Sequence, residues 1–116
     1  MSDKRKDRGA RSAEKKPDHR DLYGGLIRLH VLHHAVKEPV YGFAMIEELR
    51  RHGYELSTGT LYPILHGLER DGLLSSTTRL ALGKLRRYYR TTVNGRKTLK
   101  EAMGKVEELM EEVRNG

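Results

Sequence analysis

The hydrophobic period of the chain changes at Gly72, and this change restricts the folds that the sequence can adopt. Upstream of it, the spacing of one helix face is set by Leu61, Ile64, Leu65 and Leu68. Downstream, residues 73–82 are rich in Ser, Thr and Leu, and residues 86–93 contain aromatic and β-branched residues that favour strands. Gly83 and Lys84 between them predict a turn. We therefore expect a helix and then a β-hairpin. The hairpin must pack against helices, because a lone hairpin is marginally stable in water.

A long first helix is predicted near the N-terminal end of the patterned sequence. Asp21 favours its start, and Pro39 limits its end to Lys37 or Glu38. Its apolar residues recur at spacings of three and four and form a wide stripe, which contains Leu22, Leu26, Ile27, Leu29, Val31, Leu32 and Val36. Such a wide stripe predicts contact on two sides, with the rest of the domain and with a partner.

Two shorter helices are predicted before the change of period. The first runs from about residue 41 to residue 52, and Gly53 ends it. Ser57 offers an N-cap for the second, and Gly72 ends that one. Two short helices joined by a turn that contains Gly fit a helix-turn-helix, although any two-helix hairpin has the same pattern.

The basic residues are concentrated in one stretch. The net charge is +7, but residues 72–100 alone contain eight Lys and Arg side chains and no acidic one. Such a block attracts polyanions or anionic membranes, and a merely solvated basic face is the alternative. Residues 1–20 carry a net charge of +4 and almost no apolar residues. They are predicted to form a disordered basic arm, which is either a solubilising tail or a non-specific DNA contact.

A C-terminal helix with a narrow apolar seam is predicted from residue 94 onward. Steps of 4, 3, 4 and 3 separate the residues of this seam, which are Leu99, Met103, Val106, Met110 and Val113. This is the a/d pattern of a heptad repeat on an otherwise charged helix, and it needs another helix to cover it. Packing against the chain's own first helix is one solution. We favour a homodimer in which Leu22 and Leu26 contribute the free side of the first helix.

Composition excludes several classes of protein. The 116 residues allow one domain with one modest core. The chain contains no Cys and therefore no disulfide, thiolate metal site or thiol nucleophile. No apolar run approaches the roughly 18 residues that span a bilayer, and the N-terminus has no hydrophobic signal segment. We expect a cytoplasmic protein without a membrane partner.

The candidate catalytic and metal-binding patterns are weak. His30 and His34 lie one helical turn apart, but no neighbouring carboxylate completes an obvious ligand set, so we predict no metal site and no cofactor. Residues 58–60 lack the glycines and the Lys of a phosphate-binding loop, and no Ser/His/Asp arrangement has a local signature. We therefore expect that the chain is not an enzyme.

Four blocks of sequence resemble the PadR family of transcriptional regulators. Over about residues 22–100 these blocks follow in collinear order, as PVYGF (39–43), LSTGTLYPIL (56–65), LERDGLL (68–74) and RRYYRTTVNG (86–95). The LGKLRR stretch at residues 82–87 departs from the Gly, Pro and Arg that the family often has before the paired tyrosines. With one C-terminal helix, the chain is similar to the short subfamily.

The resemblance implies a mainly α fold of the winged helix-turn-helix type, in the order helix, helix, helix, strand, strand, helix. The DNA-binding domain would cover residues 21–93, and the C-terminal dimerisation helix would cover residues 94–116. In this family the hairpin, or wing, follows the DNA backbone. The resemblance therefore implies phosphate contacts by Lys84, Arg86 and Arg87. Weaker contributions would come from Arg79 and Arg90.

The N-terminal part of the second helix of a helix-turn-helix enters the major groove. The candidates for contacts with bases or phosphates are accordingly Ser57, Thr58, Thr60, Tyr62 and His66. Two alternatives remain, an N-cap role for Ser57 and a place at the core edge for the ring of Tyr62. Pro63 predicts either a kinked first turn or a later start of this helix.

The resemblance also implies what the chain does. We expect a homodimer that represses transcription by binding a palindromic operator in double-stranded DNA, with half-sites about one helical turn apart. A small aromatic or drug-like effector near the dimer interface would shift the spacing of the two DNA-binding domains, or heads, of the dimer. The alternative is a basic dimeric RNA-binding or scaffolding module. It is less favoured because an RNA platform needs exposed aromatic residues, and the chain has six Tyr and one Phe.

Overall fold

The computed structural model describes residues 19–116, so the predicted basic arm lies almost entirely outside the described residues. Within this range the chain forms four helices and three strands: α1 (Arg20–Lys37), β1 (Val40–Tyr41), α2 (Gly42–Arg51), α3 (Thr58–Arg70), β2 (Leu74–Ala81), β3 (Lys84–Thr91) and α4 (Val93–Asn115). This is a mainly α winged helix-turn-helix, as predicted. None of these helices is long and apolar enough to cross a membrane.

One hydrophobic core lies between the three N-terminal helices and the sheet. The helix α1 supplies four of its residues, and the apolar faces of α2 and α3 supply seven more. The sheet adds Leu74 and Tyr89, which are both almost fully buried. Burial of each large apolar side chain contributes about 1.5–3 kcal/mol. The hairpin therefore packs on the helices through the first residue of β2 and the last part of β3.

Helix boundaries follow the local signals in the sequence. The side-chain oxygen of Ser57 accepts a hydrogen bond of 3.3 Å from the Thr60 amide, which confirms the N-cap of α3. Gly53 and Gly72 have φ angles of +89° and +79° and lie in the turns that end α2 and α3. The first helix ends at Lys37, two residues before Pro39, as predicted.

The strand β1 was not predicted, and it shortens the second helix. Tyr41 was expected to begin that helix, but Val40 and Tyr41 pair antiparallel with Tyr89 and Tyr88 of β3. The sheet has the order β1-β3-β2. Two residues carry no strand periodicity of their own. They are extended because β3 offers them an otherwise unpaired edge.

The hairpin is confirmed, but the predicted turn is displaced by one residue. Lys84 pairs with Ala81 as the first residue of β3, so the turn consists of Leu82 and Gly83. Both have positive φ angles, +53° and +78°, as the two central residues of a type I′ hairpin turn require. The buried pair at the other end of the hairpin, Leu74 with Thr91, sets this register.

The last helix begins inside the domain and then leaves it. Its N-cap, Thr92, accepts a hydrogen bond of 2.9 Å from the Gly95 amide and donates one of 2.7 Å to the Gly72 carbonyl. Leu99 packs against the core. Further along, the side chains of Met110 and Val113 are 50% and 72% exposed. Within residues 19–116, the C-terminal half of α4 therefore leaves its apolar seam uncovered.

Candidate nucleic-acid interface

The N-terminal turn of α3 presents polar groups to solvent. Ser57 and Thr58 are exposed, and the hydroxyl oxygens of Ser57 and Thr60 lie 3.4 Å apart. The first backbone N–H groups of a helix have no acceptor within it and carry the positive end of its dipole. This end of α3 can therefore bind an anionic oxygen such as that of a DNA phosphate. Ser57 also caps the helix, so both interpretations of this residue are compatible.

Tyr62 and His66 form a pair on the outer face of α3. Their ring centroids are 6.1 Å apart, and the rings are nearly parallel, at 29°. Tyr62 is 36% exposed, but its ring also lies against Gly42, where an added Cβ would come within 2.9 Å of the Tyr62 Cζ. One side of the Tyr62 ring thus packs against the start of α2 and limits how closely α2 approaches α3. The other side faces solvent. His66 is exposed and offers hydrogen-bonding nitrogens to a groove.

Pro63 lies inside α3, and the helix nevertheless begins at Thr58. The later start that the sequence analysis left open is therefore wrong. Because Pro has no amide hydrogen, the carbonyl of Gly59 lacks its usual partner within the helix.

A hydrogen bond joins the wing to α3, which is the second helix of the helix-turn-helix and its predicted recognition helix. The Ser76 hydroxyl on β2 donates to the Glu69 carboxylate on α3 at 2.8 Å. This contact is partly buried and joins the two elements that the sequence analysis assigned to DNA. No sequence pattern predicts this contact, because Glu69 and Ser76 belong to elements with different periodicities.

The basic residues of β3 lie on two faces. Lys84 and Arg86 share the outer face of the sheet, and Arg87 lies on the face of the buried Tyr89. The guanidinium of Arg86 lies 4.4 Å from the centre of the Tyr41 ring. Burial raises the pKa of Tyr89, and the positive charge of Arg87 opposes this increase. The two arginines therefore lie on opposite faces of the wing.

Rings from two strands also hold the basic outer face of the sheet in place. The guanidinium of Arg79 lies 4.0 Å from the centre of the Tyr88 ring, and Arg79 is paired across the hairpin with Arg86. Among residues 19–116 neither arginine forms a salt bridge with a carboxylate. Two like charges opposite each other are unfavourable in a free sheet. They are compatible with a surface that an anion neutralises.

The residues of the predicted dimer surface fall into two groups. Leu22, Leu26, Met103, Met110 and Val113 are exposed, and Leu99 and Val106 are half-buried within the chain. The first part of α4 contacts α1, so the alternative of packing within the chain accounts for the beginning of the seam. It does not account for the exposed residues near its end.

The structure also assembles a cluster that the sequence analysis did not predict. His52, which directly follows α2, lies beside His30 and His34 of α1, and their ligand nitrogens lie within 4.8 Å of one another. A metal at this pair of histidines was discounted because no neighbouring carboxylate completes an obvious ligand set. The structure brings up a third imidazole instead, from the residue that caps the end of α2.

Comparisons with known proteins agree on one family. A family model described as "Transcriptional regulator PadR-like family" matches residues 31–101. Transcriptional regulator Rv3488 of Mycobacterium tuberculosis is 50% identical over 97 residues, which are 84% of this chain and 91% of that protein.

Solved structures are similar as well. The PadR family transcriptional regulator of Eggerthella lenta has a TM-score of 0.74 and 36% identity, over 82% of this chain and 84% of that one. The PadR-like transcriptional regulator of Bacillus cereus has a TM-score of 0.69 and 28% identity, over 83% of this chain and 98% of that one. The chain therefore belongs to the PadR-like family of DNA-binding transcriptional regulators, and it is not an enzyme.

Proposed function

We propose that the chain represses transcription as a homodimer that binds a palindromic operator. The observation that carries the proposal is the hydrogen bond between Glu69 and Ser76, which makes one rigid unit of the recognition helix and the basic wing. A rigid unit is needed because base contacts discriminate only if the phosphate contacts fix the register on the duplex.

Within this unit the two elements have different tasks. Thr60 and His66 offer groups that can hydrogen-bond to base edges in the major groove. Arg86 and Arg87 offer charge to the phosphates on either side of the wing, and such contacts add affinity without sequence preference. A bound operator is therefore read by α3 and held by the hairpin.

A second copy of the chain is the partner that best fits the exposed part of α4. The uncovered seam is apolar, follows a heptad spacing and lies on a helix that is otherwise charged. Leu22 on α1 is 71% exposed and would lie in the same interface. A two-fold axis through this interface would present two recognition helices to two half-sites about one helical turn apart.

An effector would act at the same place. A small aromatic or drug-like molecule would find apolar surface between α1 and α4 of the two protomers, near Leu26 and Met103. If it bound one spacing of the two heads more tightly than the other, it would shift the population and release the operator.

The experiment is selection of bound sequences from random duplex DNA, followed by binding titrations at several salt concentrations. We expect a palindrome to be recovered. Thr60→Ala and His66→Ala should each lose preference for it by about ten-fold, which is about 1.4 kcal/mol and within the range for a lost base contact. Their affinity for random DNA should remain nearly unchanged.

The wing variants should behave differently. Arg86→Ala and Arg87→Ala should weaken binding to all sequences and lower the slope of log K against log salt by about one unit each. Lys105→Ala is the matched control, because it removes an exposed charge from α4 away from both elements. Equal losses on operator and random DNA for both groups of variants would contradict the assignment. Absence of any enriched duplex would favour an RNA-binding or scaffolding module.

A further inference from the structure

Three imidazoles that belong to none of the residues assigned to DNA meet in the structure, two from α1 and one from the C-cap of α2. His30 and His34 lie one turn apart on α1 with ring centroids 6.0 Å apart. The ring of His52 stacks on them, with centroids 4.5 Å from His30 and 5.5 Å from His34. One nitrogen of each ring lies within 4.8 Å of the other two. A single ion bound at about 2.0–2.1 Å from each nitrogen would need only small side-chain movements to reach all three.

One of these nitrogens is buried without a partner. Nε2 of His34 has no solvent contact and no hydrogen bond within the described part of the chain. A buried polar atom in this state is costly, usually by 1–3 kcal/mol, and calls for a ligand. The ring that carries this atom is only partly exposed to solvent.

The other nitrogen of the same ring faces a carboxylate. Nδ1 of His34 lies 3.7 Å from Oε2 of Glu48, and the other oxygen of Glu48 accepts a hydrogen bond of 2.8 Å from Arg51. A carboxylate beside Nδ1 favours the tautomer that carries its proton there, which leaves the lone pair on Nε2. This carboxylate–histidine arrangement is the usual support behind a metal-ligating imidazole.

The charge state of the cluster also suits a cation. Burial and the neighbouring imidazoles lower the pKa of His30, and burial lowers that of His34 against the opposing effect of Glu48. His33 and Tyr54 are the other titratable groups that face these rings. Both shifts favour the neutral imidazole, which is the form that binds a metal ion.

We propose that His30, His34 and His52 bind one Zn²⁺-like transition-metal ion, with Glu48 orienting His34. Three imidazole nitrogens suit Zn²⁺, Co²⁺ or Cu²⁺ and do not suit Mg²⁺ or Ca²⁺, which take oxygen ligands. His52 is exposed, so a fourth position is open to water or to another small ligand. The ion would join α1 to the end of α2. The proposal is independent of the function proposed above.

Zinc binding by untagged, chelator-treated protein tests the proposal. Titration calorimetry should show one Zn²⁺ per chain and no binding of Mg²⁺. Co²⁺ should give the strong visible absorption of a tetrahedral site. His34→Gln and His52→Gln should each weaken Zn²⁺ binding at least ten-fold, and Glu48→Gln should weaken it by about 10- to 100-fold. Zn²⁺ should also raise the melting temperature of the wild type by more than that of any of these variants.

The matched control is His33→Gln, which removes an exposed imidazole from the same helix outside the set of ligands. It should bind Zn²⁺ like the wild type. Circular dichroism with chelator present shows whether each variant is folded, so that a loss of binding is not a loss of structure. The proposal is overturned if the wild type binds no Zn²⁺, or if folded His34→Gln and His33→Gln bind it equally well.

Discussion

At the scale of single residues, the contact between Tyr62 and Gly42 decides how the two helices of the DNA-binding unit approach each other. Tyr62 is predicted to read bases or to lie at the core edge, and its ring lies at that edge with 36% of the residue exposed to solvent. The contact requires a residue without a side chain at position 42, because an added Cβ would overlap the hydroxyl end of the tyrosine. The ring cannot keep this position if Gly42 changes.

Gly42→Ala should therefore destabilise the protein by about 1 kcal/mol, since the displaced ring loses packing and the helices shift. In a Tyr62→Ala background the sign should reverse. Alanine favours a helix over glycine by up to about 1 kcal/mol, and no ring remains to clash with it. Urea unfolding of the four proteins in this double-mutant cycle measures the coupling. Additive effects would mean that the contact does not limit the approach of α2 and α3.

At the scale of elements, α4 is the part whose apolar surface exceeds what its own chain can cover. Its first turns are tied to the domain by Thr92 and Leu99, and its later turns are exposed. The heptad spacing alone does not separate packing within the chain from packing between chains. Within the chain only part of the seam is covered, since Leu99 and Val106 are half-buried and Met110 is exposed.

Met110→Glu is therefore the sharpest test of the proposed dimer. A carboxylate in an apolar interface without a cationic partner is strongly unfavourable, by several kcal/mol. Sedimentation velocity at micromolar concentration should show a folded monomer in place of a dimer. Lys105→Glu is the control, because it introduces the same side chain on the same helix outside the seam. A Met110→Glu protein that sediments as a stable dimer would contradict the interface.

At the scale of the whole molecule, the charge is distributed so that the positive field surrounds the hairpin and the N-terminal arm. The hairpin and the start of α4 carry all of the basic block, and residues 1–20 add a net charge of +4. We expect a segment of this composition to contact DNA that flanks the proposed operator as a tethered polycation. Such contacts are diffuse and screened by salt.

Deletion of residues 1–18 should leave the dimer and its sequence preference intact. Operator affinity should fall about three- to ten-fold at low salt, and by progressively less as the salt concentration rises. Titrations of the full-length and shortened proteins across a salt series measure this difference. Superimposable curves would identify the arm as a tail without a role in DNA binding.

The sequence by itself determined the helices, the hairpin and the polarity of each face. It did so because these features depend on neighbours within a few residues. Examples are the cap at Ser57, the stop at Gly72 and the apolar period between them. The motif blocks added the order of the elements and the family, which the fold and the comparisons confirm.

Only the tertiary structure decided the features that join distant segments. Val40 becomes a strand residue because β3 lies beside it, and the turn moves to Leu82 because the buried end of the hairpin fixes the register. His52 joins the two histidines of α1 because α2 packs across that helix. No local hydrophobic period or helix cap predicts these contacts between distant segments. They arise when burial of a shared core brings together surfaces whose sequences have no relation to each other.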